Sequence, residues 1–240
     1  MIVTFPTMGT MASLDLADGQ PPGGLVEIFE RFDERFSLYR PDSELSLVAV
    51  GERGLPEASE QLRSVYAAAL GWRSATGGAF TPHRPDGVID LNGIVKALAM
   101  REAGLALSAQ GIARWCLNVG GDVLSEGGVE PWTMGIVDPL DRASLLCAVH
   151  LREPRRSLAT SGIAERGEHV WRSSAIGDLV QVSVLADDIL TADVLATAIL
   201  SGGAEFRDEA TARWDIDVLT VDRAGELAAS PGMRSALAVG

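Results

Sequence analysis

An α+β fold of mainly antiparallel sheets packed with helices is what this sequence predicts, and three observations predict it. Strand-like and helix-like stretches alternate without the regular beat of a doubly wound parallel sheet. Several neighbouring strand-like runs are joined by short turns, as antiparallel neighbours are. With 240 residues and 47% apolar content the chain can bury a proper core, which fits one domain over 1–240, or two small intertwined halves, better than a string of modules.

The elements follow in order. The stretch VTFPTMGTMASLDL (3–16) is expected as one strand, with Met11, Ser13 and Asp15 on one face and Ala12, Leu14 and Leu16 on the other. After the turn residues DGQPPGG, Leu25, Ile28, Phe29, Phe32 and Phe36 recur at helical spacing. Glu27, Glu30, Asp33 and Glu34 are left for solvent. Pro41 disfavours helical geometry at Arg40, so this helix should end near Tyr39. A second helix, Ala58 to Ala75, places Leu62, Val65, Tyr66, Ala69 and Leu70 on one face and stops at Gly77-Gly78. A third begins close to Gly93 and ends at Gly111. Strand-like runs come next: ARWCLNVGG, WTMGIVDP, LLCAVHL, RSLATSG and LVQVSVLAD. A buried-looking helix over 189–203, a shorter helical run EFRDEATARW, a strand DVLTVD, a DRAG turn and a tail with Pro231 complete the chain.

Charge excludes some partners. A formal net charge of −13 repels nucleic acid and anionic membrane, so neither is expected as a partner. Cys116 and Cys147 sit in apolar strand-like runs without CxxC spacing and read as core thiols in a reducing compartment. The opening MIVTFPTMGTMASLDL carries no positively charged segment ahead of an apolar one and no lipobox cysteine. No stretch approaches the roughly 20 apolar residues that cross a bilayer. A cytoplasmic protein without membrane insertion is the expectation.

Five segments can carry chemistry. In ILTADVLATAILSGG, Asp193 and Thr197 lie four residues apart, hence side by side on a helix, where two hard oxygens suit Mg²⁺. An acid near a helix start with a back-bonded Thr accounts for the same spacing. In DGVIDLNGIVKALA, Asp90 precedes an LNG turn and Lys96 lies one turn into the helix, a combination that can hold a phosphate or simply cap a helix. In LNVGGDVLSEG, the residues Asn118, Gly120, Gly121 and Asp122 interrupt an apolar strand, for a ligand's close approach or for a hairpin turn. RSLATSGIAERGEHVW gathers Thr160, Ser161, Gly162, Arg166 and His169 at a strand end. In FSLYRPDSELS, Ser43 and Glu44 can close a proline turn by local hydrogen bonds, and Tyr39 can stack on a flat ligand or cover the core edge.

The order of these segments carries more than any one of them. MGT at 8–10, SLYRPDSELS, GGAFTP, DLNGIVKALA, LNVGGD, WTMGIVDP, ATSGIAERG and TADVLATA together resemble the ApbE-type FAD:protein FMN transferases, over about residues 5–202. The resemblance implies an ApbE-like, T-fold-like architecture. It implies Mg²⁺-dependent transfer of FMN from FAD to a Thr or Ser hydroxyl of an acceptor flavoprotein, with release of AMP.

Carried over residue by residue, it makes Asp193 and Thr197 the side-chain metal ligands and Val95 the carbonyl ligand. Lys96 and Asp90 join them in the chemistry, Lys96 or Arg166 as electrostatic help and Asp90 or Asp122 as acceptor of the hydroxyl proton. Met8, Gly9, Thr10, Tyr39, Asn118, Gly120, Gly121, Asp122, Thr160, Ser161, Gly162, Arg166 and His169 fall on flavin-site positions. The family's GGIAKG reads NGIVKA here, with Asn92 and Ala97 for glycines, and its HxxDPxTG reads HVWRSSAIGD. An FAD pyrophosphatase giving FMN and AMP, or a flavin-binding protein without turnover, is the alternative that these departures leave.

Overall fold

The computed structural model describes residues 1–17, 22–127, 129–163 and 179–238. Ten strands are described. Eight form one sheet in the order β1 (Ile2–Thr7), β2 (Thr10–Leu16), β3 (Trp115–Val119), β4 (Asp122–Glu126), β7 (Ser157–Gly162), β8 (Leu179–Ala186), β9 (Asp217–Asp222), β10 (Leu227–Ala229), with every described neighbour antiparallel, and β5 (Trp132–Val137) and β6 (Leu145–Leu151) form a separate antiparallel pair. The predicted α+β, mainly antiparallel architecture is therefore what the chain adopts.

The large sheet opens on a hairpin, and here the sequence reading needs correction. The expected single strand over 3–16 is β1 (Ile2–Thr7) folded back on β2 (Thr10–Leu16). Met8 and Gly9 both take positive φ, 46° and 73°, which is the two-residue turn whose twist matches a hairpin. The alternation predicted within β2 holds: Ala12, Leu14 and Leu16 are buried.

β3 (Trp115–Val119) and β4 (Asp122–Glu126) make a second hairpin beside it, turning on Gly120 and Gly121. β7 (Ser157–Gly162), β8 (Leu179–Ala186), β9 (Asp217–Asp222) and the short β10 (Leu227–Ala229) complete the sheet. β8 is buried along its whole length, because the pleat sends Val182 and Val184 to one core and Leu185 to another.

The first core lies on the helix side. It takes α1 (Leu25–Phe36), α3 (Glu60–Ala75), α4 (Asn92–Ala109) and α5 (Ile189–Arg213) against Leu14, Leu117, Leu124, Ala159 and Val184 of the sheet. The second lies on the opposite face. There β5 (Trp132–Val137), β6 (Leu145–Leu151) and α6 (Pro231–Ala236) cover Cys116, Val123, Leu158, Leu185 and Leu219.

Helix ends also differ from expectation. α1 stops at Phe36 rather than near Tyr39, because the Ser37 carbonyl accepts from the Ser43 hydroxyl (2.6 Å) and the Ser46 hydroxyl (3.1 Å). Ser43 then caps an unpredicted short helix, α2 (Glu44–Ala49), by accepting the Ser46 N–H. Glu44 ties α2 to α3 by accepting from the Ser59 backbone and hydroxyl. Burial alone would raise its carboxyl, but these bonds and the Arg53 guanidinium outweigh that and hold it below the usual range. The tail at Pro231 is α6, with Ser230 as cap and Pro in the first turn.

Gly203 (φ 74°) interrupts α5, as the separate helical runs anticipated. Contrary to the sequence expectation that no stretch is long and apolar enough, α5 could cross a bilayer by length and composition, but 72% of its apolar window is buried against the rest of the fold. It packs on α4, β7 and β8 as the central core helix.

Both cysteines are unoxidised thiols. Burial, with a smaller contribution from the Asp15 charge, pushes the Cys116 thiol up to about 12; burial also raises Cys147. Thiolate is the reacting form. At pH 8 an aromatic disulfide reagent should therefore label Cys116 only as fast as the protein unfolds. Stoichiometric labelling of Cys116 within seconds in the native state would contradict this packing.

Candidate active site

One end of the large sheet collects most of the predicted site residues. The register Ala12↔Val119 and the hydrogen bond from Gly120 N–H to Met11 O (3.1 Å) bring the Met8-Gly9 and Gly120-Gly121 turns to the same end. Gly120 has φ 60° and lies under Thr10: a Cβ there would stand 2.8 Å from the Thr10 hydroxyl oxygen. Only glycine fits that close approach. Asn118 locks the turn, its side-chain oxygen accepting the Gly121 N–H at 3.0 Å. The hairpin reading of LNVGGD is thus met, and the close approach that the structure shows is that of Thr10 to Gly120.

β4 begins at Asp122, whereas β7 runs on to Gly162. The described β4–β7 pairing covers Val123↔Leu158 and Leu124↔Ser157, and past it the Asp122 carboxylate takes over, accepting the Thr160 N–H at 3.0 Å. Its other oxygen pairs with Lys96 Nζ of α4. The two side chains are only 2% and 11% exposed, so this is a buried ion pair joining helix layer to sheet. Pleating then separates the next residues. Thr160 bonds Ser183 Oγ at 2.9 Å on the β5–β6 side, while Ser161, opposite Val182, faces the helices and meets the Thr197 hydroxyl at 3.1 Å.

Asp193 lies one turn before Thr197 on α5 and is 6% exposed. Val95, 1% exposed, sits on α4, the helix packed against α5. A carboxylate, a hydroxyl and a backbone carbonyl are hard oxygen donors and fit Mg²⁺. Among the described residues no three His, Cys, Asp or Glu side chains gather into a metal cluster. A cation here would complete its shell from substrate oxygens and water.

Two predicted residues have no described hydrogen bond or ion pair to these side chains. Asp90 Oδ1 accepts the Asn92 N–H at 3.0 Å, an Asx turn that starts α4, while its own N–H bonds Pro82 O. Tyr39 is 80% exposed on the loop after α1, and among the described residues no hydrogen bond or ring contact joins it to the cluster. Arg166 and His169 lie outside the described residues. Sequence reasoning missed Ser183 and Gln181. Gln181, opposite Gly162, ties β8 to Val137 O at 3.0 Å, and the signal was two polar residues at period two in the apolar run LVQVSVLA.

Comparison with known proteins bears on this geometry. A family model described as "ApbE family" matches residues 81–220. The chain is 34% identical over 176 residues to an FAD:protein FMN transferase of Rhodobacter capsulatus, covering 68% of this chain and 33% of that one. It is 27% identical over 157 residues to the FAD:protein FMN transferase of Salmonella typhimurium, covering 59% and 45%. The chain thus spans a third to under half the length of these curated relatives.

Among solved structures, the ApbE protein of Thermotoga maritima superposes with a TM-score of 0.84 at 21% identity, covering 100% and 99% of the two chains. The flavin transferase ApbE of Vibrio cholerae gives 0.79 at 23%, covering 99% of each. At these identities the shared property is the fold.

Proposed function

The chain belongs to the ApbE family, and on that premise we propose that it is a Mg²⁺-dependent FAD:protein FMN transferase acting on a Thr or Ser hydroxyl of an acceptor flavoprotein. One observation carries the reading: Thr197 meets Ser161 at the glycine-turn end of the sheet, with Asp193 one turn earlier on the same helix face. That is where a pyrophosphate and a cation can be held together.

In the proposed reaction the acceptor hydroxyl oxygen attacks the phosphorus of the FMN half of FAD. A phosphoester P–O bond forms, the P–O bond to AMP breaks, and the hydroxyl proton leaves. When bound, Mg²⁺ supplies charge neutralisation at the pyrophosphate and at the departing AMP. Asp193, Thr197 and the Val95 carbonyl would hold it. Gly120 and Gly121 hold the positive-φ turn, and the open space beside Gly121 would let the dinucleotide approach the backbone. Lys96 adds positive charge next to the anionic substrate. Asp122 has its oxygens engaged by Lys96 and the Thr160 N–H, while the described bond of Asp90 uses Oδ1 alone. Asp90 is therefore the better acceptor for the hydroxyl proton.

The test uses a purified flavoprotein domain whose flavin is phosphoester-linked to Thr or Ser, prepared without flavin. Incubation with this protein, FAD and Mg²⁺ should give acid-stable flavin on that domain. FAD turned over with the domain left unmodified would support a pyrophosphatase instead, and FAD bound but unchanged a binding protein.

A further inference from the structure

We infer that Ser161 is a positioning residue for the metal ligand Thr197, its hydroxyl accepting the Thr197 O–H so that the Thr197 lone pairs face the cation. The inference rests on the reading of Asp193 and Thr197 as the side-chain Mg²⁺ ligands.

Three features of the fold support it. A Thr inside a helix ordinarily bonds back to a carbonyl one turn earlier. Thr76 does so to Trp72 O (2.8 Å) and Thr211 to Arg207 O (3.1 Å). Thr197 instead reaches across to the sheet, where Ser161 Oγ lies 3.1 Å away.

The register of β7 directs Ser161 to that position. Its partner Val182 belongs to the helix-side core, whereas Thr160 is turned to the opposite face and satisfied by Ser183. Asp122 fixes the strand at this point by holding the Thr160 N–H, so the Ser161 hydroxyl is presented by rigid backbone.

The direction of the bond follows from the inventory of a hydroxyl. Thr197 has one hydrogen and two lone pairs. A cation on its oxygen takes a lone pair and withdraws electron density from the hydroxyl, which makes Thr197 the stronger donor and Ser161 the better acceptor with metal bound. Partners of metal ligands typically change metal affinity about 10–100-fold when removed.

The experiment titrates Mn²⁺, as a stand-in for Mg²⁺, into the full chain with FAD present and reads free Mn²⁺ by electron paramagnetic resonance. Ser161→Ala should weaken Mn²⁺ binding about tenfold or more. Ser161→Thr, which keeps the hydroxyl, should stay close to the unsubstituted protein, and the thermal midpoints of all three should agree. Equal Mn²⁺ affinity in Ser161→Ala overturns the inference, as does equal weakening in Ser161→Ala and Ser161→Thr. If the unsubstituted protein takes up no Mn²⁺ with FAD present, the metal reading of Asp193 and Thr197 falls, and the inference with it.

Discussion

Replacing Asp193 with Ala is expected to lower Mg²⁺-dependent AMP release from FAD by at least about a hundredfold, the scale on which a single well-placed electrostatic group acts in a transition state. Asp193 is the acid on the apolar half of α5, and its neighbours Ala192, Val194, Leu195 and Ala196 are all buried. A carboxylate in such surroundings costs free energy to desolvate unless it binds something charged or donating. Truncation should leave the helix intact while removing the main anionic ligand of the proposed Mg²⁺ site. Thr197→Ala should have a smaller effect, because a neutral hydroxyl offsets less of the cation's charge. Raising Mg²⁺ should recover part of the Thr197→Ala loss and little of the Asp193→Ala loss. The check is AMP formation against Mg²⁺ concentration for both variants, with circular dichroism confirming the fold. AMP release by Asp193→Ala at the unsubstituted rate would refute the assignment.

The second large effect concerns stability. Lys96 and Asp122 are both buried and joined, and Asp122 also stands in for the missing β4 neighbour of Thr160. Breaking a buried ion pair from one side leaves the other charge without compensation and typically costs about 3–5 kcal/mol. Lys96→Met should lower the unfolding free energy by about that amount, and Asp122→Ala by more, since the Thr160 N–H loses its acceptor as well. Asp122→Asn keeps an oxygen for Thr160 and should fall between Asp122→Ala and the unsubstituted protein. The double variant Lys96→Met/Asp122→Asn should regain much of the stability lost in either single one. Urea denaturation of the unsubstituted protein and the four variants measures this. Losses that simply add in the double variant would mean that the two side chains do not act as a pair.

How far sequence could lead is visible in particular residues. Apolar periodicity located α1 and α3, because those helices bury one face and the spacing records which, whereas α4 was read from its glycine boundaries and β8, buried on both faces, from its unbroken apolar run. The two turns that shape the site were harder. LNVGGD announces a hairpin through adjacent glycines, but the turn at Met8-Gly9 puts Met8 at positive φ, a conformation that tertiary context imposes and that residue type does not signal. α2 and α6 are each six residues long, too short to show a helical period, and their Ser-cap and Ser-Pro starts were the only marks they left. The Asp193/Thr197 pair could be seen as an i, i+4 spacing. Its contact with Ser161 depends on a pairing between elements 36 residues apart, and no local pattern carries that. The same holds for Lys96 and Asp122, which the alternation of β4 and the turn of α4 bring together only once both are folded.

The most direct test of the account is to incubate FAD with the unsubstituted protein and with Asp193→Ala, each with Mg²⁺ and with chelator, and to separate AMP, FMN and FAD chromatographically with the flavinless acceptor domain present. The account predicts AMP from the unsubstituted protein with Mg²⁺ alone, matched by flavin on the acceptor, and close to none from Asp193→Ala or in chelator. AMP release that survives chelation, or that Asp193→Ala carries out equally well, would contradict it.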